Sequence, residues 1–207
     1  MAASKIMIVR HAEKPDGQQG DPTGVTLAGQ PSDNSLIVQG WQRAGALVTL
    51  FDPFSQDLPE GLVVPNVIFA SDDHDHTDPN GKQQGSHSMR PIETVTPLAS
   101  KLSLQIDTSC WLGNEPALVT AATGSTGAVL IAWQHEAMPA IANLLVPPPT
   151  PIPKDWPVPQ QWPGKRFDVV WIFDPPTQAG GPWIFSQVPQ NLLAGDINSV
   201  IEPKSAK

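Results

Sequence analysis

Ile6 to Val9 is an unbroken apolar run rich in β-branched residues. Such a run predicts a strand buried on both faces, as in a parallel sheet covered by helices. The 15–35 stretch that follows is rich in Gly, Pro, Asp, Ser and Gln and reads as loop. Leu36, Trp41, Ala44, Leu47 and Leu50 then recur at near-helical spacing and predict a helix over 36–51. "PNVIFAS" (65–71) predicts a second short strand that ends on a polar residue.

Residues 72–87, "DDHDHTDPNGKQQGSH", are polar and rich in turn formers, and read as an exposed insertion. Helical spacing resumes over 89–104, with Pro91 acceptable near a helix start. "LQID" offers a short strand, "PALVTAATG" a helix ending at Gly124, and "GAVLIAWQH" (127–135) a third clear strand. "EAMPAIANLL" follows as a helix with an early proline. Val146 to Gly164 is too dense in proline for helix or central sheet and reads as an extended surface crossing. A lid and a partner-binding proline motif are its functional alternatives. "RFDVVWIFD" and "PWIFSQVPQ" then look like two strands joined by a Gly/Pro-rich turn. Alternating strands and helices predict an α/β domain, and 207 residues suit one large domain.

Bulk properties narrow the function classes. A formal net charge of −8 and a pI near 4.9 argue against a general nucleic-acid or anionic-membrane binder. No apolar stretch approaches a membrane span, and the four-residue apolar core near the N-terminus is too short for a signal-peptide core. Cys110 is the only cysteine, so neither an intramolecular disulfide nor a multi-cysteine metal site can form. The expectation is a cytoplasmic domain without cofactor. Trp156, Trp162 and Trp183, each beside a proline, read as packing plugs.

Three of the candidate strands end in chemistry. Val9 leads into Arg10 and His11, Ala70 into Ser71, and Gln134 into His135 and Glu136. Ligands of open α/β sheets bind at the carboxyl ends of the strands, so these groups converge on one edge. Arg10, Lys14 and Arg90 with two imidazoles outnumber the carboxylates there, which disfavours a hard-cation site. Guanidinium forks suit phosphate or carboxylate, and a histidine beside them suits nucleophilic catalysis. No G-x-S-x-G elbow is present; "GSTG" at 124–127 does not fit it.

"VRHAEK" (9–14) resembles the R-H-x-x-R/K signature of the histidine phosphatase superfamily, the group that includes the phosphoglycerate mutases. "QGWQRAGALVTLF" (39–51) resembles that family's first helix. "VIFAS … MRPIETVTPLA" resembles its strand followed by S-x-x-R-x-x-x-T-A, with an insertion between Ser71 and Arg90, and "VLIAWQHE" (129–136) resembles its second histidine strand. The resemblance implies a three-layer α/β/α sandwich with a mostly parallel sheet. It implies that His11 attacks phosphorus and becomes phosphohistidine, that Arg10 and Arg90 hold the phosphoryl oxygens, and that His135 adds a hydrogen bond. The substrate expected is a small phosphomonoester. A mutase-like phosphoryl transfer, or a catalytically weak relative that binds a phosphorylated ligand or protein partner, are the alternatives.

The chain departs from the family at Lys14, which keeps the charge of the motif's second arginine but lacks its planar fork. The acid that protonates the leaving oxygen is open between Glu136, which is favoured, Glu115 and Glu13. Ser71 suits a turn as well as a phosphate contact. Arg43 reads as a surface or packing residue of its helix. His74 and His76 among Asp72, Asp73, Asp75 and Asp78 could in principle bind a divalent metal. H-x-H alone is weak, and the reading preferred is a solvated insertion with no metal, placed to cover the substrate entrance.

Overall fold

The computed structural model of the chain describes residues 2–18, 20–54, 57–178 and 180–203. The loop read over 15–35 includes Gln19, and the single domain read over 1–207 includes both termini; these residues lie partly outside that description.

The first apolar run becomes strand β1 (Ala3–Arg10). Its alternating side chains serve two separate cores, as the two-residue period of a strand requires. Ile6 and Ile8 join one cluster, Met7 and Val9 the other. Helix α1 (Val38–Phe51) follows, then β2 (Val67–Ala70), the short strands β3 (Asp75–Thr77) and β4 (Gln83–Gly85), and helix α2 (Arg90–Leu102). After the two-residue β5 (Ile106–Asp107) come α3 (Glu115–Gly124), β6 (Gly127–Trp133), α4 (Met138–Leu145), β7 (Val169–Asp174) and β8 (Ile184–Pro189).

Six strands form one sheet in the order β5-β2-β6-β1-β7-β8. The pairs β5–β2, β2–β6 and β6–β1 are parallel, whereas β7 runs antiparallel to β1 and β8 antiparallel to β7. The fold is therefore mixed α/β with a mostly parallel sheet, as the alternation of elements predicts. Leu118 and Ala122 of α3 and Met138 and Ile141 of α4 pack with Ile6 and Ile8. Leu47 and Phe51 of α1 and Val95 and Leu98 of α2 pack with Met7 and Val9. Burial of this order, ~1.5–3 kcal/mol per large side chain, drives the assembly.

Two stretches differ from expectation. Residues 72–87, read as loop, carry the β3–β4 hairpin, docked through the amide of Gly85, which donates to the carbonyl of Leu112 at 2.8 Å. The proline-dense 146–164 stretch has no regular structure, as its composition requires, but it is more than a surface crossing. Val158 and Trp162 are buried in the first core, and the Trp162 ring lies 5.0 Å from that of Trp171. Among the described residues, no helix is long and apolar enough to cross a membrane.

Candidate functional site

The parallel register places three strand ends side by side. Arg10 pairs with Trp133, and Ala70 with Ala132. The residues that follow are His11, Ser71 and the Gln134–His135–Glu136 run, so strands remote in sequence deliver polar groups to one edge. Helix α2 brings Arg90 there as its first residue.

The segment after β1 is held from three directions. His11 N–H donates to the Trp133 carbonyl at 3.0 Å, and Ala12 N–H donates to Thr94 Oγ1 at 2.8 Å. The Thr94 hydroxyl in turn donates to the carbonyl of Arg90 at 2.7 Å. Ile37 N–H donates to the Glu13 carbonyl at 3.1 Å, and a Cβ on Gly40 would meet that same oxygen at 2.4 Å. Only glycine lets α1 approach this closely. Strand β6, α2 and α1 thus fix consecutive residues, and His11 has little freedom to move.

His11 is 3% exposed, and its Nδ1 lies 2.8 Å from the Ala12 carbonyl oxygen. A carbonyl can only accept, so Nδ1 carries the proton and Nε2 keeps its lone pair. Burial, reinforced by the positive charge of Arg10, pushes the imidazole down to about 3. The ring is therefore neutral at physiological pH with a defined tautomer.

Arg10 is 1% exposed. Its Nη1 donates to the main-chain carbonyls of Gly164 at 2.7 Å and Arg166 at 3.0 Å, and its Cζ sits 3.8 Å from the centre of the Phe167 ring. Nε is buried and has no partner, and the guanidinium's hydrogen bonds among the described residues all run from Nη1. One end of the guanidinium is thus anchored while the Nε/Nη2 edge, the one that grips an oxyanion with two donors, stays open. Burial pushes the guanidinium down to about 10, which still leaves it charged at neutral pH. An unpartnered buried donor on a cation is costly, about 1–3 kcal/mol or more, and an anion at that edge would satisfy it.

Arg90 is half-buried; its Nε and Nη2 donate to the carbonyls of Ser35 and Asp33, and its charge also acts on His11. His135 Nδ1 lies 2.9 Å from Glu136 Oε2, a close contact whose angles fall short of a hydrogen bond, so the buried Nδ1 has no hydrogen-bond partner among the described residues. Contact with His135 is the main force holding the Glu136 carboxyl down to about 2, and Glu136 also feels the His11 imidazole. Of the carboxylates weighed in the sequence, Glu136 is the one placed where it senses His11.

The other two are committed elsewhere. Glu115 Oε1 accepts from Gly113 N–H at 2.9 Å and Trp133 Nε1 at 3.2 Å, tying the start of α3 to β6. Glu13 is gripped by Arg43 through Nε and Nη2 at 2.9 and 2.7 Å. Arg43 also donates to Asp196 Oδ1 at 2.6 Å and Gln190 Oε1 at 3.0 Å. The expectation of a surface or packing residue needs correction. Arg43 is 2% exposed and is the centre of a buried carboxylate–guanidinium–carboxylate triad. Against the cost of burial, the hydrogen bonds it donates to Asp196 and Glu13 raise its affinity for its proton.

Ser71 is fully buried and used internally: its hydroxyl accepts from Gln134 Nε2 at 3.1 Å and donates to the Asp72 carbonyl at 3.2 Å. Gln134 Oε1 is left buried without a partner. Lys14 lines a neighbouring cleft with Phe167 and makes no hydrogen bond or ion pair with Arg10 or His11 among the described residues. Asp72, Asp73 and His74 have ligand-type atoms within 4.8 Å of one another, but they are bound among themselves: Asp72 accepts from His76 Nε2 at 2.7 Å and lies 3.2 Å from His74 Nδ1. His76 also stacks on Trp111 at 3.9 Å. These contacts hold the hairpin together.

Phe167 and the Gln190–Asp196 turn have no sequence signal pointing to the site; they reach it only through the tertiary fold. No family model matches the chain, and no curated protein matches it.

Proposed function

We propose that the chain is a phosphomonoester hydrolase of the histidine phosphatase type, acting through phosphohistidine on His11. The observation that supports this most is the open edge of Arg10, whose Nε is buried without a partner, beside a neutral His11 whose proton sits on Nδ1. The edge binds two phosphoryl oxygens, Arg90 adds its positive charge while its donors stay on Ser35, Ser88 and Asp33, His135 flanks the group, and Nε2 of His11 attacks phosphorus as the ester oxygen leaves in line. Glu136, ionised in the ligand-free protein, takes up a proton from solvent as the negative charge of an arriving phosphate raises its carboxyl, and passes that proton to the leaving oxygen. In the second step Glu136 takes a proton from water, the hydroxide oxygen bonds to phosphorus, and the P–Nε2 bond breaks to release phosphate.

The finer architecture proposed is a three-layer α/β/α sandwich, supported by the two helix pairs that pack on opposite residues of β1. The substrate is a small phosphorylated molecule rather than nucleic acid or a membrane surface, and the setting is cytoplasmic. A second reading, a binding protein for a phosphorylated ligand, is favoured by one observation: Glu136 is ionised in the ligand-free protein. Turnover of p-nitrophenyl phosphate by wild type and His11→Ala separates the two. Turnover lost in the variant supports the hydrolase; equal rates contradict a phosphohistidine on His11, and no turnover from either protein while inorganic phosphate still binds favours the binding reading.

A further inference from the structure

The central sheet ends on two unlike edges. Strand β5 closes one side and is only two residues long, too short to template another strand. Strand β8, Ile184–Pro189, closes the other side and pairs within the sheet with β7 alone. Edge strands are commonly guarded by charged side chains, bulges or a covering segment. No charged residue occurs from Pro175 to Gly195, in a chain whose net charge is −8. The β7–β8 register runs unbroken from Val169–Pro189 to Asp174–Ile184. Ile201 meets β8 only through the side-chain amide of Gln187, on the face shared with Trp171, and does not engage the backbone edge.

The backbone groups that face outward follow from the ladder. Gln190 N–H donates to the Asp168 carbonyl at 2.7 Å, which extends the β7–β8 register by one pair. Hydrogen-bonded pairs alternate along an antiparallel ladder. Ile184, Ser186 and Val188 therefore turn their amides to β7, and the odd-numbered residues turn theirs away from it. Pro189 is one of these and has no N–H to expose, the place a proline takes in an edge strand. The Trp183 N–H is already given to the Leu145 carbonyl at 3.1 Å. That leaves the amides of Phe185 and Gln187, which find no acceptor among the described residues. They stand symmetrically about Ser186, a small and exposed residue.

Such an edge is complementary to itself. With two β8 strands antiparallel and centred on Ser186, Phe185 of each copy faces Gln187 of the other, and each pair exchanges N–H for carbonyl. Ile184, 49% exposed, then lies opposite Val188 and adds an apolar cross-strand contact. Trp183 lies opposite Pro189, so the ladder stops where the free donors stop. The two serines form the close, non-hydrogen-bonded pair on the axis, where small side chains fit. The charge-free stretch lets two acidic chains approach there without local repulsion.

We infer that the partner of β8 is a second copy of this chain, joined about a twofold axis at Ser186 so that the two sheets run on as one. The symmetry of the free amides about a single residue favours a second copy over a strand from another protein. The inference does not depend on the reading of the His11 site.

The test is the solution mass of the 207-residue chain by size-exclusion chromatography with light scattering. Wild type should give about 44 kDa, twice the 22.2 kDa of one chain. Ser186→Asp and Ser186→Arg each place like charges on the axis, on Cα atoms ~4.5 Å apart, and each should run at half the wild-type mass. Mixed in equal amounts, the two variants should regain the dimer mass, which a variant that fails to fold could not do. A monomeric wild type, a dimer mass that persists in both single variants, or a mixture that stays monomeric overturns the pairing.

Discussion

Nδ1 of His11 lies 2.8 Å from the carbonyl oxygen of its neighbour Ala12. That contact assigns the imidazole proton, and so leaves Nε2 with a free lone pair, as the proposed nucleophile requires. The Ala12 amide is itself tied to Thr94, so the tautomer and the position of the ring are set by the same two residues.

Arg10 should not tolerate lysine. On the proposed function the guanidinium needs donors on two sides at once, Nη1 for the Gly164 and Arg166 carbonyls and the Nε/Nη2 edge for the phosphoryl oxygens. Arg10→Lys should lose about 100-fold or more in kcat/KM towards p-nitrophenyl phosphate. Retention of activity within about threefold would argue against the fork.

Glu136→Gln should show its effect in the leaving group. p-Nitrophenolate departs readily without a proton, whereas an alkoxide does not. The variant should therefore lose on the order of 100-fold with an alkyl phosphate and much less with p-nitrophenyl phosphate. Equal losses on both substrates would remove Glu136 from the acid role.

Acid should destabilise the protein partly through His11. The unfolded imidazole titrates near 6.5 and the folded one near about 3. Between those values the unfolded chain binds a proton that the folded chain excludes, so stability is fully present above 6.5 and falls as pH drops towards 3. His11→Gln removes this contribution, and its Tm should decline less steeply than that of wild type between pH 6.5 and about 4. Parallel Tm curves would place the titration elsewhere.

Arg43→Met should be a stability variant first. It leaves Glu13 and Asp196 facing each other in a buried place without their cation. The expected loss is about 3–5 kcal/mol in urea unfolding. A loss below about 1 kcal/mol, typical of a surface pair, would contradict the buried triad.

Much of the framework was legible because it depends on local pattern. The runs at Ile6–Val9 and Val129–Trp133 could be satisfied only in a buried strand, and their polar ends marked the edge where Arg10, His11 and His135 meet. Arg43 was misread because a lone cation on an amphipathic helix usually faces water, and its partner Asp196 lies 153 residues away. The β3–β4 hairpin was missed since His76 and Gln84 pair without the apolar alternation that betrays a strand. Glu115 was plausible by position, but only the tertiary fold shows the Trp133 indole donating to it. Phe167 and the two carbonyls on Arg10 arrive from the end of a proline-dense stretch whose composition discloses only that it is irregular.

The most direct test of the account is to quench the protein with denaturant during p-nitrophenyl phosphate turnover and map phosphorylation by mass spectrometry. The account predicts an acid-labile phosphoryl group on the peptide containing His11, absent in His11→Ala. Turnover without a phosphorylated His11 peptide, under quenching that preserves a phosphohistidine standard, would contradict it.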